Sequence, residues 1–241
     1  TTIRTLRRKV EPTAGPPTRI QTARGDGYRW VAPEQAAGWR DTLQRHWTWF
    51  AQLGTRAHND KLVGPDAARY RRAIQVDAHN LWAACRNAAA HADGVSAARA
   101  ARALLNMLGH RGPLSGAHAL LDALGTLDAA TLAPPVRAEV GVVTGQLLAL
   151  VGRHDAALQC LEAVLPDAAP HPELHARVRL ALARRQYRLG DVAGARASCE
   201  QGIALSRAVG MASGVSSTLV FLGVLARHEG RLDEAVGHYE A

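Results

Sequence analysis

Four glycines constrain what this chain can fold into more tightly than any other feature. Gly112, Gly152, Gly190 and Gly230 recur at spacings of 40, 38 and 40 residues, and each is followed five positions later by alanine: Ala117, Ala157, Ala195 and Ala235. Four residues beyond each alanine stand Leu121, Leu161, Cys199 and Tyr239, and Leu104, Leu182 and Leu222 precede the first, third and fourth glycines by eight. Glycine permits a tight turn, alanine lets two helices approach closely, and the larger residue fills the next interface. A fixed period of this kind is the signature of stacked helix–turn–helix units, each of which buries its apolar face only against its neighbours.

The triplet resembles the tetratricopeptide repeat, with a period longer than usual that implies longer helices or loops. The fold expected is mainly α: a tetratricopeptide-like α-solenoid of antiparallel helix pairs over residues 92–241, incomplete at its C-terminal end. With no polar capping helix in the sequence, Val236 and Tyr239 are expected to be exposed, and self-association through that end is an expected consequence. Residues 34–91 are expected to form a helical connecting region. Trp39, Leu43, Trp47, Phe50 and Ala57 mark one helix face, and Gly64-Pro65-Asp66 opens a second helix that carries Tyr70, Ile74, Leu81, Cys85 and Ala88.

Charge is distributed unevenly. The formal net charge is +8, yet residues 1–40 alone hold eight Lys or Arg against three Asp or Glu. A basic end on a nearly balanced body points to an anionic partner for that end. There Ile3, Leu6 and Val10 form a narrow apolar stripe, with Arg4, Arg7 and Arg8 largely on the other side. Two short strand candidates, 19–22 and 28–31, flank Ala23-Arg24-Gly25-Asp26-Gly27, whose Asp-Gly favours a hairpin turn.

A basic helix followed by an arginine-tipped hairpin resembles the C-terminal part of the OmpR/PhoB-type winged-helix domain of bacterial transcriptional regulators, over residues 1–33. The resemblance implies double-stranded DNA as partner, with Thr1, Arg4, Thr5, Arg7 and Arg8 facing a groove and Arg24 at the wing. His79-Asn80-Leu81-Trp82-Ala83-Ala84, after the Gly-Pro-Asp start, resembles the helical segment of larger regulators that join a winged helix, a STAND-ATPase and tetratricopeptide repeats. Two departures stand out. The winged helix is N-terminally truncated, and no GxxxxGK[ST] phosphate loop occurs, so no nucleotide cofactor is expected.

For chemistry the sequence offers little. His171 and His175 stand one helical turn apart without a third ligand at metal-binding spacing, and Pro172-Glu173 suits an ordinary helix start, so no metal is expected. No Ser-His-Asp grouping or paired-carboxylate motif appears, so no enzyme and no catalytic residues are expected. Cys85, Cys160 and Cys199 are far apart and read as reduced core residues. Arg177, Arg184 and Arg188 share a helix face and are the candidates for binding a protein, a peptide or a small inducer, with a plain solvated face as the alternative. No membrane-spanning run is present, and a cytoplasmic location is expected. Two functions remain open: a DNA-binding transcriptional regulator, or fragment of one, coupled to a repeat array; and a helical-repeat interaction scaffold that does not bind DNA. A third reading has the array sensing a metabolite in its groove.

Overall fold

The computed structural model describes residues 20–23, 27–30, 39–111 and 114–241. Two short strands, β1 (Ile20–Ala23) and β2 (Gly27–Trp30), pair antiparallel with Ile20 opposite Trp30 and Ala23 opposite Gly27. The rest of the described chain is α-helical apart from turns and one short 3-10 segment. Among these residues no helix is long and apolar enough to cross a membrane.

The helices run in sequence as α1 (Trp39–Ala51), a 3-10 turn (Gln52–Gly54), α2 (Arg56–Asp60), α3 (Ala67–Val76), α4 (Ala78–Ala90), α5 (Gly94–Arg111) and α6 (Leu114–Leu124). They continue as α7 (Pro134–Leu150), α8 (His154–Ala163), α9 (Leu165–Ala168), α10 (Pro172–Arg188), α11 (Val192–Ala208), α12 (Ala212–His228) and α13 (Leu232–Glu240). Successive helices pack as hairpins, chiefly α4 with α5, α7 with α8, α10 with α11 and α12 with α13. This is the solenoid architecture expected of the glycine period. Gly152, Gly190 and Gly230 each have positive φ, at 83°, 91° and 76°, in the turn between the two helices of a pair. That backbone region penalises any side chain, so glycine is required there. Ala157, Ala195 and Ala235 are buried on the second helix of each pair, as are Leu161 and Cys199. The long period has its source in 17-residue helices: α7, α10, α11 and α12.

Three details differ from the sequence reading. The helix expected to run on from Tyr70 to Ala88 is two helices that meet at Asp77, whose φ of −95° and ψ of 13° lie off the helical values. The Asp77 carboxylate accepts a hydrogen bond from Asn80 Nδ2, a local competitor to continuing the helix. Ala57 is exposed on α2, so it does not belong to the face of α1. The buried cluster also shows no break at residue 91, because Trp47, Phe50, Leu81 and Cys85 share one core with Leu104, Leu147 and Leu182. A smaller second cluster joins Ala183, Ala195 and Cys199 to Leu219, Leu222 and Leu225.

Asp93 ties the early helices to the array. One carboxylate oxygen caps α5 by accepting from Ser96 N at 3.0 Å, and the other accepts from the Trp47 indole N–H at 2.9 Å. The indole is 4% exposed and needs such a partner once buried. Trp49 lies on the opposite face at 49% exposure. Val236 and Tyr239 on α13 are exposed, in agreement with the sequence reading.

Candidate functional site

Stacked helix pairs create an extended concave surface. Here α5, α7, α10 and α12 supply residues that, together with some from α2 and the turn after it, line an open cavity of about 450 Å3. The volume falls in the range of small-ligand sites, roughly 300–1,000 Å3. Leu105, Leu150, Leu180 and Ala181 make its apolar part, and Asn59, Asn106, Gln146, Ser213 and Ser217 its neutral polar part.

The fourth side of the cavity exists because a short segment crosses from the beginning of the array to its later repeats. Gly54 brings the backbone directly against α5; a Cβ built on it would lie 1.8 Å from the Arg99 carbonyl oxygen, so no larger residue fits. From there α2 spans to the turn between α11 and α12. Arg56 Nη2 donates to the carbonyls of Val209 and Gly210, both at 2.6 Å. Asp60 Oδ1 accepts from Ser213 N at 2.9 Å, and Asp60 Oδ2 lies 3.5 Å from Arg56 Nε. The charges are placed as helix dipoles favour, the cation at the end of α11 and the carboxylate at the start of α12. Asn59 joins the same segment to α5 by accepting from Asn106 Nδ2 at 2.9 Å. Residues 153 positions apart are thereby clamped together.

Five arginines line the cavity: Arg56, Arg102, Arg177, Arg184 and Arg185. Glu173 is the one carboxylate among the lining residues, 3.7 Å from Arg56 Nη1 at the clamp. Deeper in, Glu139 lies between two of the arginines, accepting from Arg177 Nη1 at 2.7 Å and standing 3.5 Å from Arg102 Nη1. Burial pushes the Glu139 carboxyl up, but Arg177 and Arg102 outweigh it and hold it below its ordinary value. Arg102 and Arg177 side chains are only 11% and 15% exposed. Burial, and then the charge of Arg177, push the Arg102 guanidinium down to about 9, with Glu139 opposing. At neutral pH it is still a cation. Arg102 Nε and Arg177 Nη2 are buried without a hydrogen-bond partner among the described residues.

Arg184 has no acidic neighbour in the described structure. Its guanidinium carbon sits 5.9 Å from the centre of the Phe221 ring, a cation–π contact, and burial lowers its pKa. Arg185 Nη1 is 3.1 Å from His154 Nδ1, and burial followed by the charges of Arg184 and Arg188 lowers it also.

Of the arginines singled out on α10, the structure brings Arg177 and Arg184 into the cavity and leaves Arg188 exposed beyond it. Arg56, Arg102, Arg185, Glu139 and Glu173 were not legible as site residues. Arg102 alone left a trace, a charge in the otherwise apolar run Ala100-Ala101-Arg102-Ala103-Leu104-Leu105. Thr1, Arg4, Thr5, Arg7, Arg8 and Arg24 lie outside the described residues. His175 Nε2 accepts from Arg179 Nε at 3.0 Å while His171 is exposed at the start of α10. Burial and then the charge of Arg179 lower the pKa of His175. No group of three or more His, Cys, Asp or Glu poised for a metal occurs among the described residues.

No family model matches the chain, and no curated protein matches it. Among solved structures it is similar to one described as "Crystal structure of BtubC (BKLC) from P. vanneervenii", with 19% identity and a TM-score of 0.48, over 82% of this chain and 71% of that one. A likeness of that extent carries no argument.

Proposed function

We propose that the helical array is a receptor module whose concave cavity holds a ligand, and that the basic N-terminal segment passes the bound state on to double-stranded DNA, as in a transcriptional regulator. The observation that supports the receptor half is the cavity itself: four array helices and the α2 clamp converge on one arginine-rich, partly apolar space of about 450 Å3. Ligand sites have this make-up, an apolar lining with a few converging polar groups. Support for the DNA half comes from the sequence, in the concentration of positive charge before residue 41 and the resemblance of residues 1–33 to a recognition helix and wing. The array binds rather than catalyses in this reading, since what converges on the cavity is guanidinium and amide groups.

Fluorescence anisotropy of a labelled duplex titrated with the full chain tests the DNA half. Neutralising four or five phosphates makes log affinity fall with log salt at a slope near −4. Combined Arg4→Gln, Arg7→Gln, Arg8→Gln and Arg24→Gln substitutions are expected to flatten that slope towards zero. Binding that is absent, or equally strong in the substituted chain, would leave the array as a scaffold without a DNA output.

A further inference from the structure

The cavity carries more cationic charge than the protein around it neutralises. Of its five arginines, Arg56 is engaged with the turn at Val209 and Gly210 and with Glu173, and Arg102 and Arg177 share Glu139, with Glu173 also acting on Arg102. Among the described residues Arg184 has only the Phe221 ring, and Arg185 has His154. Desolvated cations are costly unless paired, and a buried guanidinium N–H without an acceptor costs about 1–3 kcal/mol or more. Two such N–H groups, on Arg102 and Arg177, are closed off within the wall of this space, so it is the excess of guanidinium charge and not these atoms that points to a ligand. A guanidinium presents a planar fork of donors that matches carboxylate and phosphate oxygens.

We infer that the concave cavity binds a small multivalent anion, a compact molecule carrying two or more phosphate or carboxylate charges, held among Arg102 of α5 and Arg177, Arg184 and Arg185 of α10. This rests on the reading of the cavity as a ligand site and gives that ligand its chemical class. The crossing of α2 makes the occupant a small molecule rather than an extended acidic peptide, because the clamp closes the groove along which a peptide would run. Leu105, Leu150 and Leu180 supply an apolar wall for the ligand's carbon frame, and Asn106, Gln146 and Ser217 offer neutral hydrogen bonds.

Isothermal titration of the full chain with inorganic pyrophosphate and, separately, with citrate tests this. The two arms distinguish a phosphate from a carboxylate ligand, and indole serves as a neutral apolar probe. Saturable one-to-one binding of at least one anion is expected, weakened roughly tenfold or more by Arg184→Gln, which breaks no ion pair in the described structure. Arg188→Gln, on the same helix but outside the cavity, is expected to leave affinity within about twofold. Ser217→Phe, which fills the cavity without removing charge, is expected to abolish binding, and far-UV circular dichroism shows whether each variant retains its helices. Equal weakening by Arg188→Gln and Arg184→Gln overturns the assignment, because diffuse surface charge would then explain the binding. If indole binds and is displaced by Ser217→Phe while neither anion binds, the anion assignment falls and the cavity remains a ligand site. If none of the three binds, both readings fall. DNA binding is read separately by anisotropy, so its failure is not confused with either outcome.

Discussion

Asp60→Ala tests whether the array is held closed by the α2 clamp. Asp60 supplies the acceptor for Ser213 N in the first turn of α12, and the helix's own N-cap residue, Met211, makes no side-chain capping bond. Losing an N-cap acceptor costs about 0.5–2 kcal/mol, and losing a partly exposed ion pair one helical turn apart costs about 0.3–0.5 kcal/mol. The Arg56 bonds to Val209 and Gly210 remain, so the clamp is weakened without being removed. Together these amount to about 1–2 kcal/mol, which raises the population of the unclamped state roughly 5–30-fold. Native-state hydrogen exchange reads this directly, because opening of a local unit accelerates exchange only within that unit. Amides of residues 211–217 and of α2 are expected to exchange faster by that factor, while those of α7 and the middle of α10 keep their rates. Adding Arg56→Ala is expected to give a non-additive change, since the two residues hold one turn. Uniform acceleration in every helix would refute the reasoning, showing that Asp60 supports global stability and not closure. Unchanged exchange at residues 211–217 would refute it equally.

Gly54→Ala places a methyl group against the Arg99 carbonyl, at a position where a Cβ would lie 1.8 Å from that oxygen. The clamp segment must then move away from α5, with an overpacking cost of about 1–3 kcal/mol or more seen as a lowered urea midpoint; an unchanged midpoint would show that the close approach is not needed. Glu139 contributes stability with a definite sign. Its folded-state pKa lies below its ordinary value of 4.5, so the contribution is fully present above that value and is lost as pH falls through the depressed folded one. Glu139→Gln is expected to make stability below pH 4.5 less dependent on pH than in the parent chain. A parallel pH profile in parent and variant would contradict the placement of Glu139 between Arg102 and Arg177.

What the sequence makes legible follows from the range over which each constraint acts. The turn glycines and the alanines that follow them answer to contacts within one helix pair, so their spacing survives in the chain as a period. Cys199 and Leu161 obey it for the same reason, as interface residues buried within a pair. The clamp has no such trace. Arg56 and Asp60 sit in the unremarkable run Arg56-Ala57-His58-Asn59-Asp60, and their partners are more than 150 residues away. Helix periodicity places Arg177, Arg184 and Arg188 on a common face, correctly in angle. It says nothing of how far along the helix the cavity extends. Arg188 is the last residue of α10, about 6 Å further along the axis than Arg184 at 1.5 Å per residue, and so it clears the end of the cavity.

Arginine abundance alone says little about function, and a second arginine cluster shows what does. At the α11–α13 surface, Arg196 pairs with Glu229 at 2.5 Å and Glu234 at 3.1 Å, Arg231 bonds to both carboxylates, and His238 stands 3.4 Å from Glu234. Arg196 Nε is itself buried and without a partner, so an orphaned guanidinium N–H does not by itself identify a site. The difference lies in the ratio of charges. On the surface two arginines face two glutamates in a network with access to water, and nothing further is required to neutralise it. In the cavity Arg102 and Arg177 share Glu139, Arg56 faces Glu173, and Arg184 and Arg185 have no acidic partner among the described residues, beside the apolar side chains of Leu105, Leu150 and Leu180. A fold that needed these cations only for its own cohesion gains nothing from leaving Arg184 unmatched beside Arg185, since neighbouring like charges repel. The excess is explained when an anion from outside completes the set.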